Sequence, residues 1–127
     1  MSKQQEIKAT EAELEILNIL WTHGPATVRD VHDKLALKKE AGYTTTLKQM
    51  QIMLEKQLLS RVALGKAHVY TASVNQQQAQ GQIIQRLIDS VFNGSAMQLV
   101  IQALGNHKAS DSELDMIREY LDKKAKK

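Results

Sequence analysis

Residues 42–54 read GYTTTLKQMQIML, a segment that opens as a poor helix and continues as a good one. Three threonines follow Tyr43, each β-branched and stiff at χ1, which lowers helix propensity. From Leu47 onward the residues are good helix formers. On a helical wheel, Thr46, Leu47, Met50, Met53, Leu54 and Leu58 gather on one side, the stripe expected to face a core. Thr45, Lys48, Gln49, Ile52, Glu55 and Lys56 gather on the other, with Thr44 at the front edge. Hydroxyls at a helix N-terminus can cap free backbone N–H groups or bond a phosphate, where the helix dipole also favours an anion. The spacing therefore assigns one threonine to capping and the others to a short, polar tip, with the Thr46 methyl turned into the core. Lys48 can reach a phosphate or a guanine edge, and Gln49 an adenine or a phosphate. Ile52, a large apolar side chain on a wet face, suits a thymine methyl or packs under a neighbouring loop.

The flanking segments supply the frame for that helix. Upstream, Thr10 and Glu13 form a capping-box pattern, and Leu14, Leu17 and Trp21 recur at helical spacing with Ile16 and Leu20 beside them. HGPAT at 23–27 ends this helix, because Gly suits a C-terminal cap and Pro25 bars continuation. Thr27 can cap a short second helix with Val28, Val31 and Leu35 on its buried side, and a basic loop, LKKEAG, leads into the threonines. Downstream, LLSRVALGKAHVYTA at 58–72 has β-branched and aromatic residues around Gly65 and Lys66, the pattern of a two-stranded hairpin. Helix, short extended piece, helix, helix, hairpin is the order of a winged helix-turn-helix, in which the second helix of the turn, here 44–57, enters the DNA major groove. Arg29 and Tyr43 would flank that groove, and Lys66 and His68 at the wing tip are candidates for phosphate or minor-groove contact.

Past residue 73 the pattern changes. Ser73 with Gln76 offers a capping box, followed by Ile84, Leu87, Ile88 and Val91 at helical spacing. Ser95 opens a second helix with Met97, Val100, Ile101 and Leu104 apolar. Ser110 and Glu113 open a third with Leu114, Ile117 and Leu121. Three helices with apolar faces and no core of their own must pack on a partner or fold back on the first domain. The expectation is a mainly α protein: a winged helix-turn-helix DNA-binding domain over 1–73 and a three-helix dimerisation region over 74–127.

Composition narrows the function classes. At 127 residues, with 43% hydrophobic and 24% charged residues, the chain suits one compact domain or a small domain with an appendage. It has no Cys, which removes disulfides and thiolate metal or redox sites and fits a reducing compartment. The polar N-terminus lacks a signal-peptide core, and no stretch approaches the roughly 18 apolar residues needed to span a bilayer, so a cytoplasmic protein is expected. The formal net charge is +3, but it is unevenly spread. Residues 1–33 hold three cations against six carboxylates, a net of −3, and residues 34–72 hold seven against two, a net of +5. A basic middle segment is the footprint of a polyanion-binding surface. His23, His32, His68 and His107 show no metal-ligand spacing, and no phosphate loop, nucleophile elbow or carboxylate pair suggests an enzyme or a cofactor. The alternative is a winged helix used for protein–protein contact, since fold alone does not imply DNA.

ELEILNILWTHGPATVRDVHDKL, GYTTTLKQMQIMLEKQLLSR and HVYTA together resemble the penicillinase repressor family, most strongly over residues 10–72. The resemblance implies a homodimeric winged-helix repressor on a short palindromic operator, often of the TACA/TGTA type. By position it places DNA contacts on Thr44, Thr45 and Lys48. Ile52 stands where a basic residue is common, and Gln57 where Gly is usual. Copper-responsive members carry a cysteine cluster, which this chain lacks. β-Lactam-responsive members are cut at an Asn-Phe bond by a membrane sensor protease; here the aligned pair is Gln102 and Ala103, a departure that argues against such a partner.

Overall fold

A computed structural model describes residues 7–126. Their elements run α1 (Glu11–His23), α2 (Val28–Ala36), α3 (Tyr43–Glu55), β1 (Leu59–Leu64), β2 (Ala67–Ala72), α4 (Gln76–Ser90), α5 (Ala96–Asn106) and α6 (Asp111–Ala125). The chain is mainly helical with a small antiparallel sheet. It divides into two compact units between Gln82 and Ile83, inside α4.

The first unit is built from well-capped helices. The Thr10 hydroxyl accepts the Glu13 backbone N–H while the Glu13 carboxylate accepts the Thr10 N–H, a complete capping box at the head of α1. Thr27 and Asp30 repeat it at α2. Gly24, at φ 87°, closes α1 by donating its N–H to the Leu20 carbonyl, a conformation that disfavours any side chain. The extended piece that follows joins the wing: Ala26 and Tyr70 exchange both backbone hydrogen bonds, at 3.0 and 2.8 Å. In the wing itself Leu59 pairs with Ala72 and Leu64 with Ala67, leaving Gly65 and Lys66 as a two-residue turn. Of these two only Gly65 has a positive φ (64°), as a type II′ hairpin turn requires.

Helical spacing lays the apolar residues together. Ile16, Leu17 and Leu20 of α1, Val28, Val31 and Leu35 of α2, and Met50 and Met53 of α3 are buried with Leu58, Leu59 and Tyr70. Ile19, outside the expected stripe, is buried as well, and Leu14, Trp21, Leu47 and Leu54 pack half-buried against the cluster.

Both ends of α3 differ from expectation. It spans Tyr43–Glu55 rather than 44–57, and no threonine caps it: Gly42 is the N-cap and no side chain bonds the free N–H groups. Side chains in a helix lean back toward its N-terminus, so the Thr46 hydroxyl meets the carbonyl one turn earlier and donates to Gly42 at 3.3 Å. At the other end Gln57 takes the left-handed position, φ 67°. Leu58 N–H reaches the Met53 carbonyl (2.9 Å) and Gln57 N–H the Leu54 carbonyl (3.1 Å), a Schellman motif with Gln where Gly is favoured.

Lys56 lies on the exposed side, as expected, and from there its ammonium reaches α1 and donates to both Glu13 oxygens, at 2.8 and 3.0 Å. Glu13 is 7% exposed at its side chain, so the helix-capping carboxylate is also the buried half of an ion pair whose ammonium stays at the surface. One further expectation is corrected: Ser73 does not cap α4. Its N–H and hydroxyl are drawn to the Leu58 and Gln57 carbonyls, and Asn75 Oδ1 accepts the Gln78 N–H instead. Ala79, early in α4, is buried in this unit, and the Trp21 indole N–H donates to the Val74 carbonyl.

The second unit holds the end of α4 with α5 and α6. Ser95 caps α5 by accepting the Gln98 N–H. Ser110 accepts the Glu113 N–H, but the Glu113 carboxylate turns to His107 Nε2 at 3.2 Å, so the box is half made. No described residue of this unit is buried, and its helices make no broad packing on one another.

Candidate nucleic-acid interface

The N-terminal turns of α2 and α3 and the wing tip enclose a cleft of about 360 Å³. Val28, Leu47 and Tyr70 contribute apolar lining, and Arg29, Tyr43, Lys66 and His68 the polar lining. Four candidates from three separate elements thus share one recess. Arg29 lies in the first turn of α2, and its guanidinium sits 4.5 Å from the Tyr43 ring centroid, a cation–π contact. The His32 ring makes a T-shaped contact with the same ring, at a centroid distance of 5.6 Å and 77° between planes. His32 Nδ1 is in turn 3.4 Å from the Thr46 hydroxyl. Tyr43 therefore contacts two side chains of α2 while staying exposed, and it is the first residue of α3 rather than its predecessor.

The other candidates form a stripe along α3. Thr44, Thr45 and Lys48 are exposed, Gln49 is half-buried, and Ile52 is 39% exposed. Among the described residues Arg29, Lys48 and Lys66 have no carboxylate partner. The surface thus combines three uncompensated cations with two threonine hydroxyls at a helix N-terminus, a suitable set for a phosphate backbone. The basic segment is less available than its count suggests. Lys39 pairs with Glu15 at 2.6 Å and Lys56 with Glu13, so acidic α1 neutralises two of its cations. Burial alone would push the Glu13 carboxyl up. The Lys56 hydrogen bond and charge, with the Thr10 N–H and hydroxyl, outweigh it and hold that carboxyl below the usual value.

Sequence reasoning did not foresee His32, Glu13 or Tyr70 in these roles. Tyr70 is buried, bridges Ala26, and accepts an Arg61 hydrogen bond at 3.2 Å. A tyrosine directly opposite an arginine in the hairpin register was the available signal. Of the nine apolar residues assigned to dimerisation, Ile84, Leu87, Val91, Val100, Leu104 and Leu121 are exposed, while Ile88, Leu114 and Ile117 are half-buried. Among the described residues no cluster of His, Asp or Glu is placed to hold a metal, and no helix is long and apolar enough to cross a membrane.

Three helices, a helix-turn-helix of α2 and α3 and a two-stranded wing define a winged-helix protein. The solved structure of a MarR family protein from Bacillus stearothermophilus has the same fold, with a TM-score of 0.52 and 17% identity over 94% of this chain and 75% of that one. The sequence itself is more specific. The profile of the penicillinase repressor family matches residues 9–123, and the chain belongs to that family, one of transcriptional repressors and not of enzymes. It is 23% identical to the methicillin resistance regulatory protein MecI of Staphylococcus aureus over 97% of this chain and 98% of that protein. It is 24% identical to the transcriptional regulator BlaI of Mycobacterium tuberculosis over 87% of this chain and 80% of that one.

Proposed function

We propose that this chain is a cytoplasmic, sequence-specific repressor that binds a short palindromic operator as a homodimer, with α3 in the major groove. The observation that carries the reading is the cleft where Arg29, Tyr43, Lys66 and His68 converge beside the exposed N-terminus of α3. In this arrangement Arg29, Tyr43 and the wing tip hold phosphates on either side of the groove. Thr44 and Thr45 bond the backbone at the helix tip, Lys48 and Gln49 reach base edges, and Ile52 meets an apolar base edge. Homodimerisation is supported by the second unit, whose apolar side chains have no core among the described residues. The stripes on α4, α5 and α6 bury themselves against a second copy, and two-fold symmetry then matches an inverted repeat in the DNA. Gln102 and Ala103, within α5, stand where a cleavable Asn-Phe pair is expected from the family resemblance, so relief of repression does not run through that cut. Lys48→Ala tests the interface. It should weaken operator binding at least tenfold and leave the dimer intact by analytical ultracentrifugation; unchanged affinity would remove Lys48 from the site.

A further inference from the structure

The first unit contains a second and larger cavity, of about 480 Å³, where the last turn of α3 meets the entry to α4. That volume is within the range of small-molecule sites. Ile7, Leu58 and Val74 give it an apolar surface. Around that surface stand side chains with N–H groups still to donate. Lys8 has no carboxylate partner among the described residues. Lys56 uses two of its three N–H groups on Glu13, and its side chain is still 38% exposed. Asn75 spends its carbonyl oxygen on the Gln78 N–H, which leaves its amide N–H₂ to donate.

We infer that this cavity binds a small organic anion with an apolar body, its acidic head toward Lys8, Lys56 and Asn75 and its body on Leu58 and Val74. The net positive charge comes from Lys8, because Lys56 is matched by Glu13. Amide and ammonium donors beside an apolar surface favour a molecule that is charged at one end only. The position also gives the site a consequence. The cavity wall includes Gln57, whose left-handed backbone ends α3, and Ser73, which ties that end to the strand leaving the wing. An occupant therefore touches both the end of α3 and the start of the helix leading to the second unit. This consequence, unlike the binding itself, rests on the DNA-binding reading.

Trp21 is the sole tryptophan and bonds the Val74 carbonyl in the cavity wall, so its fluorescence reports on the site. The 127-residue chain is titrated with cyclohexanecarboxylate, with acetate as the head alone and cyclohexanecarboxamide as the uncharged body. Amide chemical shifts of Leu58, Val74 and Gln78 are followed in parallel. The expected result is a saturable response to the carboxylate at least tenfold tighter than to either control, weakened at least fivefold in Lys8→Gln. No saturable change by either readout, equal binding of the amide, or an unaffected Lys8→Gln protein would overturn the site. Saturation should also change operator affinity at least threefold. Unaltered DNA affinity in a ligand-saturated, DNA-binding protein would overturn the coupling and leave the ligand site standing.

Discussion

The Arg29 guanidinium lies 4.5 Å from the centroid of the Tyr43 ring, joining the first turn of α2 to the first residue of α3. The contact fixes a long, mobile cation at the mouth of the cleft, so less of its conformational freedom is lost when a phosphate arrives. Arg29→Ala should weaken binding to specific and scrambled duplexes alike and lower the salt slope by about 1. Tyr43→Leu, which keeps an apolar side chain and removes the ring face, should weaken binding while leaving most of that slope. A sequence-selective loss for Arg29→Ala, seen by titration over several salt concentrations, would instead make it a base reader.

Glu13 and Lys56 give a stability prediction. The pair is neither fully buried nor fully exposed, so its loss falls between the two regimes, about 1–3 kcal/mol for Lys56→Met by urea denaturation. The Glu13 carboxyl titrates below the ordinary glutamate value of about 4.3 because Lys56 and Thr10 outweigh its burial. Between the two values the unfolded chain binds more protons than the native one. The contribution is therefore complete above the unfolded value and is lost as pH falls through the lower native one. Glu13→Gln should flatten this acid limb of the stability profile. An unchanged limb would show that the carboxylate is not held as described.

Gln57 occupies a left-handed position that costs a side-chain-bearing residue about 1 kcal/mol. Gln57→Gly should stabilise the first unit by about 0.5–1 kcal/mol, less than the full strain because Gly raises the entropy of the unfolded chain. A rise of several degrees in Tm is the expected readout. A fall would mean that the glutamine side chain contributes more than its backbone loses.

The contacts within the first unit redraw the boundary for a minimal DNA-binding fragment. Ala79 is buried, Trp21 donates to Val74, and the Ile7 N–H donates to Gln82 Oε1 at 2.7 Å. A fragment ending at Gln82 should fold cooperatively, run as a monomer by size exclusion and bind the operator at least a hundredfold more weakly than the full chain. One ending at Ser73 should melt at lower temperature. A dimeric 1–82 fragment would move the self-association surface out of the last three helices.

What could be read from the sequence was mostly local. The Thr10 and Glu13 box, the Ser95 cap and the Gly65 turn depend on neighbours within four residues, and each was legible. The stripe of Met50, Met53 and Leu58 was legible because helical periodicity encodes a face. The partner of Lys56 was not legible, because Glu13 lies 43 residues away and a wheel drawn on one helix cannot see another. Ser73 was read as the cap of α4, but the Gln57 and Leu58 carbonyls claim it from across the fold and Asn75 takes its place. Within the candidate interface, residue types were readable but their convergence was not: Arg29, Tyr43 and His68 meet only once the wing folds over the helices.

Fluorescence anisotropy on the 127-residue chain, with the duplex upstream of its own gene against a scrambled duplex over a salt series, tests the repressor reading most directly. Tight binding to the first duplex alone, at two chains per site and falling steeply as salt rises, is the predicted result. Equal, weak and salt-insensitive binding to both would contradict it and turn the winged helix toward a protein partner.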